Sequence, residues 1–338
     1  MPGPGPGPAP APARTGIDAA PRRSPAEIVA AAAPASQAAR RATDRGFLAL
    51  CLAFTSLAVV ILAVLLFTVW RDGHERLTWG FLDSFASRKP AEAGVKAPLW
   101  GSVWVCAICA LAALPIGVGT AIYLEEFARR SRLTSFIKLN ISNLAGVPSI
   151  VYGILGLTAF ARLFGTVSAD DPITIGDPEG FLFLRLPFGN GVLAGGLTLM
   201  LVVLPIVIVS SQEALRSVPR SLRAGALALG ATPWQTTWSI TLPASVPMIM
   251  TGAILAMSRA IGEAAPILVL GVPLFIRSTP TNLMSDFTVL PLQIFNWAGR
   301  PQAGFHELAA AGILVLLAVL LAFNAVAVVI RHRLQKAS

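Results

Sequence analysis

Apolar and polar positions fall in long blocks along this chain. Six apolar runs occupy residues 47–69, 101–124, 136–164, 191–210, 246–274 and 308–330. Each is long enough to cross a hydrocarbon layer about 30 Å thick as a helix of roughly 20 residues. None shows the period-two alternation of a barrel strand. Lipid offers no partner for backbone N–H and C=O groups, so such runs must close their hydrogen bonds internally as helices. The pattern predicts an all-α polytopic membrane protein with six transmembrane helices spread over residues 47–335.

Composition agrees: 55% of the 338 residues are hydrophobic and 13% charged, with a mean hydropathy of +0.70. The net charge of +9 belongs to the ends of the apolar runs and is no nucleic-acid signal. Arg129, Arg130, Arg132 and Lys138 follow the second run. Arg216, Arg220 and Arg223 follow the fourth, and Arg331, Arg333 and Lys336 follow the sixth. The alternate connections are poorer in lysine and arginine. The positive-inside rule then puts both termini, and the polar segment 213–243, in the cytoplasm of a cell whose inner or plasma membrane holds the chain. Residues 1–46 read as a disordered, Pro/Ala-rich cytoplasmic tail, with proline at every even position from Pro2 to Pro12. No apolar core lies near Met1, so the first run is expected to act as an uncleaved anchor.

Proline divides the six runs. Pro115, Pro148, Pro205 and Pro266 interrupt the second to fifth, with Pro247 also in the fifth. Each is expected to bend its helix by freeing a carbonyl. The same four runs carry Gly117, Gly119, Gly146, Gly153, Gly156, Gly195 and Gly196, which permit close helix approach. A core of helices two to five follows, with one and six peripheral. Of the outer connections, 165–190 reads as an irregular loop. Its Asp170, Asp171, Asp177 and Glu179 lack metal-ligand spacing.

Chemistry is conspicuous by what is missing. There is no phosphate loop, no H-E-x-x-H and no G-x-S-x-G turn, and His74, His306 and His332 are scattered. Cys106 and Cys109 lie inside an apolar run and read as small packing residues. No catalytic or metal site is expected, and the chain is not an enzyme by itself. One polar pair does interrupt a span, in Ser258-Arg259-Ala-Ile-Gly-Glu263. Twelve residues, roughly 18 Å of helix, separate Pro247 from Arg259. That puts Arg259 near the middle of the bilayer, at a cost of roughly 2.5–3.5 kcal/mol. Glu263, one turn on, can neutralise it. A guanidinium also offers a planar fork of donors suited to an oxyanion. Arg259, Glu263 and Ser258 are therefore candidates for a substrate pathway.

The segment 213–243 is too long for a simple turn. Within it, Ala224-Gly225-Ala226, three residues, Gly230, nine residues, Ile240, one residue and Leu242-Pro243 have the spacing of the E-A-A-x3-G-x9-I-x-L-P loop. The chain thereby resembles the permease subunits of binding-protein-dependent ABC importers. The glutamate of that loop falls at Ala224. The runs from Pro115 to Glu126, Leu144 to Gly153, Ser258 to Pro266 and Leu290 to Trp297 are similar to those of phosphate importers, the last to the PstA type of subunit.

The resemblance implies a type I importer fold and import of inorganic phosphate by alternating access. It implies a PstC-like second permease, two copies of a PstB-like ATPase that binds ATP and magnesium, and an external PstS-like phosphate-binding protein. No cofactor would sit in this chain. The segment would be an ATPase-coupling loop, with Gly230 allowing a bend through positive φ. Arg223 and Leu227, with Leu229, Trp234 and Trp238, would anchor it. A related oxyanion such as sulfate or molybdate is the alternative substrate. A stand-alone channel or secondary carrier using Arg259 and Glu263 is the alternative class.

Overall fold

The computed structural model describes residue 3 and residues 35–165, 172–177, 180–181 and 183–337. The proline-rich part of the expected tail, residues 4–34, lies outside the described residues, as do Asp170, Asp171 and Glu179. Two units separate, residues 1–65 and residues 66–338.

Helix α1 spans Ala35–Gly73. It begins before the first apolar run, so residues 35–46 are helical and not tail. Once proline stops, Ala35-Ser-Gln-Ala-Ala-Arg-Arg supplies good helix formers. A short α2 (Trp79–Asp83) follows, its first turn closed by Thr78, whose Oγ1 accepts from the Phe81 N–H.

Helix α3 (Lys96–Ile122) carries Pro115 inside it and ends in a π-helical turn, Tyr123–Phe127. The third apolar run is not one helix. It forms α4 (Arg132–Leu144) and α5 (Ser149–Gly156), the latter continued by a π turn at Leu157–Ala161. The two parts bend by 104°. Pro148 sits at the break and precedes α5, where its fixed φ suits a helix start and no hydrogen bond is lost. Among the described residues, five helical stretches are long and apolar enough to cross a membrane, or six if this bent pair is one span.

The connection 165–190 is more regular than expected. β1 (Ile173–Ile175) pairs antiparallel with β2 (Leu184–Leu186), Thr174 opposite Arg185. Both triplets alternate apolar, polar, apolar, which is the strand period.

Helix α6 (Val192–Ser217) keeps Pro205 inside an unbroken span. It leads to α7 (Arg220–Ala228), then α8 (Pro233–Thr236), a π turn at Thr237–Thr241 and α9 (Leu242–Gly262). The fifth apolar run also breaks. Helix α9 stops at Gly262, Glu263 caps it in extended conformation, and α10 (Ala265–Leu270) follows with Pro266 in its first turn. Pro148 and Pro266 thus mark helix starts, while Pro115 and Pro205 lie within helices. Helix α11 (Leu290–Ala298) and the long α12 (Ala303–Ala337) complete the chain.

The core of the second unit lies between α3, α6, α9 and α10. Val105, Cys109 and Ala113 of α3 meet Leu199, Val203 and Val207 of α6, with Ala256, Met257 and Ile267. Glycine sets the spacing. A Cβ at Gly117 would stand 2.6 Å from Val207 Cγ1, and one at Gly196 2.5 Å from Ile108 Cγ2. Gly119, by contrast, faces open space. The sixth run is not peripheral along its whole length. The first turns of α12 bury Phe305, Leu308 and Ala311 against Trp297 of α11 and Phe81 of α2. Buried Ser102 of α3 accepts the Leu290 N–H at 2.9 Å, closing the start of α11. The Gln293 amide, oriented by its neighbours, donates to the Leu274 carbonyl at 3.1 Å and accepts from Trp297 Nε1 at 3.0 Å.

The bend at Pro148 is held where α5 touches α10. A Cβ at Gly153 would lie 2.8 Å from Pro266 Cα, a backbone atom that cannot step aside. Gly153→Ala is expected to cost about 1–3 kcal/mol through overpacking. Thermal unfolding of the purified chain in detergent reads this as a lowered midpoint. Gly225→Ala, where nothing lies within 4 Å, serves as the clash-free control, whose midpoint should not fall.

Candidate functional site

Two polar sites stand out in the second unit. The first is at the junction of α3, α4, α6 and α7. The π turn at the end of α3 carries two adjacent carboxylates, Glu125 and Glu126. Its extra residue per turn, closed by the Ala128 N–H on the Tyr123 carbonyl at 2.8 Å, widens the helix where such turns often serve function. Glu125 Oε1 lies 2.8 Å from Lys138 Nζ of α4 and 2.7 Å from an Arg216 Nη of α6. Glu126 Oε1 lies 2.9 Å from an Arg223 Nη of α7. The same Arg223 also donates to the Leu215 carbonyl. Both carboxylates are nearly buried, 12% and 10% exposed. Charges so placed need their partners, because desolvation is otherwise uncompensated.

These contacts revise the expectation for Arg223. It is bound within its own chain and is not a free docking charge. Ala224 stands beside it, lining a crevice of about 780 Å³ with Arg130, Lys138, Arg216 and Arg220. The position that carries a glutamate in the resembled loop therefore lines a crevice rich in cations, where the carboxylate present is Glu125 of the π turn.

The segment 213–243 is also shorter as a link than its sequence suggests. Glu213 to Ser217 belong to α6, and from Pro233 onward the chain is already in the helical stretch Pro233–Gly262. Only residues 218–232 connect the two. Helix α7 buries none of its residues. Gly225 and Ala226 lie within it, and Leu227 and Leu229 are exposed, Leu229 by 90%. The helix ends as the glycine predicts. Gly230 takes φ +86°, its N–H reaching the Leu227 carbonyl at 3.0 Å and the Ala231 N–H reaching that of Ala226 at 3.1 Å. This pair of bonds is the Schellman arrangement. Thr232 then starts α8 with a capping box, its hydroxyl accepting from Gln235 N and its own N–H donating to the Gln235 side chain. The Trp234 ring packs at a tilt against Phe127 of the π turn, centroids 5.7 Å apart, and against Trp238 at 5.3 Å, so both tryptophans also brace their own chain. Ile240 is half-buried in the next π turn. Leu242 packs against the cluster of Ala121, Ile122 and Leu215, and Pro243 occupies the first turn of α9.

The second site is the end of α9. Arg259 Nε lies 3.2 Å from Glu263 Oε1, with the arginine 53% exposed and the glutamate 17%. The expected i,i+4 pair forms, though Glu263 lies just past the helix end. Among the described residues, neither Nη of Arg259 has a hydrogen-bond partner. Ile261, between the pair, shares an apolar groove with Cys106 and Ala110 of α3 and with Val319 and Phe323 of α12. Ser102 and Val103, nearer the start of α3, line the same groove, so the pair sits beside the apolar stretches of α3 and α12. Leu255, Arg259 and Gly262 form one exposed stripe along α9. Ser258 faces elsewhere: its Oγ is 2.6 Å from Asn324 Oδ1 of α12 and 2.8 Å from the Ile254 carbonyl. Of the three candidate pathway residues, Arg259 and Glu263 come together, and Ser258 ties α9 to α12.

Sequence reasoning counted Lys138 and Arg216 only as topological charges and gave Glu125 and Glu126 no role. Two carboxylates closing an apolar run, followed by a basic stretch, were the available signal. Asn324, alone in an apolar run, was another.

Comparison with known proteins comes on top of this geometry. The profile of the family described as binding-protein-dependent transport system inner membrane component matches residues 113–336. A phosphate transport system permease protein PstA from Yersinia pestis is 32% identical over 295 residues, covering 87% of this chain and 92% of that protein. PstA 1 from Mycobacterium tuberculosis strain H37Rv is 33% identical over 244 residues, 70% of each chain. A probable ABC transporter permease protein YqgI from Bacillus subtilis is 30% identical over 300 residues, covering 84% and 94%. Among solved structures, a bacterial alginate ABC transporter chain aligns with TM-score 0.58 and 15% identity, over 85% of this chain and 94% of that one. A MetNI methionine ABC transporter chain aligns with TM-score 0.52, also at 15% identity, over 70% and 94%.

If Glu126 holds α7 through Arg223, Glu126→Gln frees that helix. Amide exchange across residues 220–228 should accelerate about tenfold in hydrogen-exchange mass spectrometry, with α3 unchanged. Unaltered exchange would mean that α7 is held by other contacts.

Proposed function

Because the chain belongs to the binding-protein-dependent transport system inner membrane component family, the permeases of ABC importers, we propose that it moves inorganic phosphate into the cytoplasm. The membrane component is not itself catalytic, and ATP hydrolysis lies in a partner subunit. The observation that carries the substrate is the Arg259–Glu263 pair beside an otherwise apolar groove, with both Nη groups of the arginine unengaged among the described residues. A guanidinium edge suits a tetrahedral oxyanion, and the glutamate holds it in place when no anion is bound. The kinship to proteins named as phosphate transport permeases supports the same choice.

The working cycle follows from the two sites. Helix α7, exposed and apolar on its outer side, seats on an ATPase subunit. Movement there passes through the short link to α6 and α9. Helix α9 carries Arg259 at its far end, so displacement of α7 alters access to the arginine. The assembly proposed is this chain, a PstC-like permease, two PstB-like ATPases and a PstS-like binding protein, with both termini of this chain cytoplasmic.

Uptake of labelled phosphate by the reconstituted assembly tests the substrate. Excess unlabelled phosphate should suppress it and sulfate or molybdate should not; suppression by all three would point to a general oxyanion permease. Arg259→Gln is expected to lower uptake at least about a hundredfold in an assembly that still hydrolyses ATP, while undiminished transport would remove the arginine from the pathway.

Cysteine placed at Leu227 or Leu229 should crosslink to the ATPase subunit. Absence of any crosslink from residues 223 to 232 would place the docking surface elsewhere.

A further inference from the structure

The helix between the two cytoplasm-assigned charge clusters has an unusual exposure. Of α4, only Thr134, Lys138 and Ile141 turn toward the body of the protein. These positions fall on one stripe at helical spacing. Leu133, Ile137 and Leu144 flank that stripe on one side, with Phe136 further round, and all four are exposed, Leu133 by 68% and Phe136 by 62%. The helix has 13 residues, about 20 Å, too short for the hydrocarbon layer. It contains Asn140, Ser142 and Asn143, and it turns by 104° before α5. Lys138 is tied to Glu125 at the extreme end of α3. Helix α4 therefore lies at the end of a spanning helix and does not cross the bilayer.

Its leading turn is basic. Arg129, Arg130 and Arg132 are exposed. Among the described residues none has a carboxylate partner, because Glu125 and Glu126 are spent on Lys138, Arg216 and Arg223. The turn is ordered: Ser131 caps α4 through the Thr134 N–H at 3.1 Å, and the Thr134 hydroxyl donates to the Arg129 carbonyl at 2.9 Å. A short helix with an exposed apolar side and unpaired arginines at its start has the chemistry of an interfacial anchor.

We propose that α4 lies in the plane of the membrane surface and binds anionic phospholipid headgroups through Arg129, Arg130 and Arg132. The apolar side of the helix enters the acyl boundary. Charge complementarity selects the occupant: three uncompensated guanidinium groups suit a phosphodiester, and the adjacent apolar row suits its chains. An acidic protein surface would satisfy the arginines but leave Leu133 and Phe136 in water.

The full chain, purified in detergent, is incubated with phosphatidylglycerol or phosphatidylcholine, and retained lipid is counted by native mass spectrometry. The wild type should prefer phosphatidylglycerol. Replacing Arg129, Arg130 and Arg132 together by glutamine should weaken its retention about a hundredfold, and the lysine triple should keep it, which separates charge from misfolding. Leu133→Ser with Phe136→Ser should weaken retention of both lipids alike. Equal retention of the two lipids by the wild type, or no change in the glutamine triple, overturns the proposal. Displacement by inorganic phosphate at low concentration also overturns it, by making the site one for a free anion. So does a glutamine triple that keeps its lipid but no longer co-purifies with the ATPase subunit, which would assign the arginines to a protein interface.

Discussion

Two neighbouring carboxylates at the end of α3 fix the arrangement of the charged face. Glu125 reaches α4 and α6, and Glu126 reaches α7. Four elements from two separate stretches of the chain are joined through one turn of helix. The carboxylates are the groups nearly out of water, and the pairings offset their loss of hydration, while Arg216 stays half exposed. The basic stretches after the second and fourth apolar runs are usually read as topology signals alone. Here part of that charge also closes the structure, and the remainder is left facing outward.

The interior obeys a different constraint. Helices in lipid gain little from hiding apolar side chains from one another, so close packing and hydrogen bonds must hold them. Gly117, Gly153 and Gly196 remove the Cβ atoms that would keep neighbouring helices apart. The Ser258–Asn324 and Ser102–Leu290 bonds add polar links between helices at points where apolar contact alone would not fix register. Arg259 stands on the side of α9 that these contacts leave open.

Much of this was legible in the sequence. Run lengths gave the helical class, the glycine at 230 gave the positive-φ stop, and the four-residue spacing gave the Arg259–Glu263 pair. The breaks within the third and fifth runs were not legible from hydropathy. Residues 145–147 are as apolar as what surrounds them and residues 263–264 are too few to register, and only Pro148 and Pro266, just after them, hinted at a new helix start. Pro115 and Pro205 carry the same residue type through unbroken helices, so proline alone could not decide. The partners of Glu125 and Glu126 lie up to 97 residues away in sequence, as with Arg223 and Glu126, and no local pattern predicts such a meeting. Residues 173–175 and 184–186 did alternate with the strand period, but three residues are too few to stand out from a loop.

The π turn at Thr237–Thr241 has a further consequence for how such a chain can change. It holds one residue more than an α-helical turn spanning the same rise, and it lies between α8 and α9. Removal of a single residue there would restore ordinary winding and leave everything downstream at nearly the same angle, because the turn already absorbs the extra residue. Arg259 would keep its place on the open stripe. A residue added or removed in the α-helical part of α9 has no such turn to absorb it and would swing the arginine by about 100°. The chain therefore tolerates a change of length about twenty residues upstream of Arg259 that it cannot tolerate beside it.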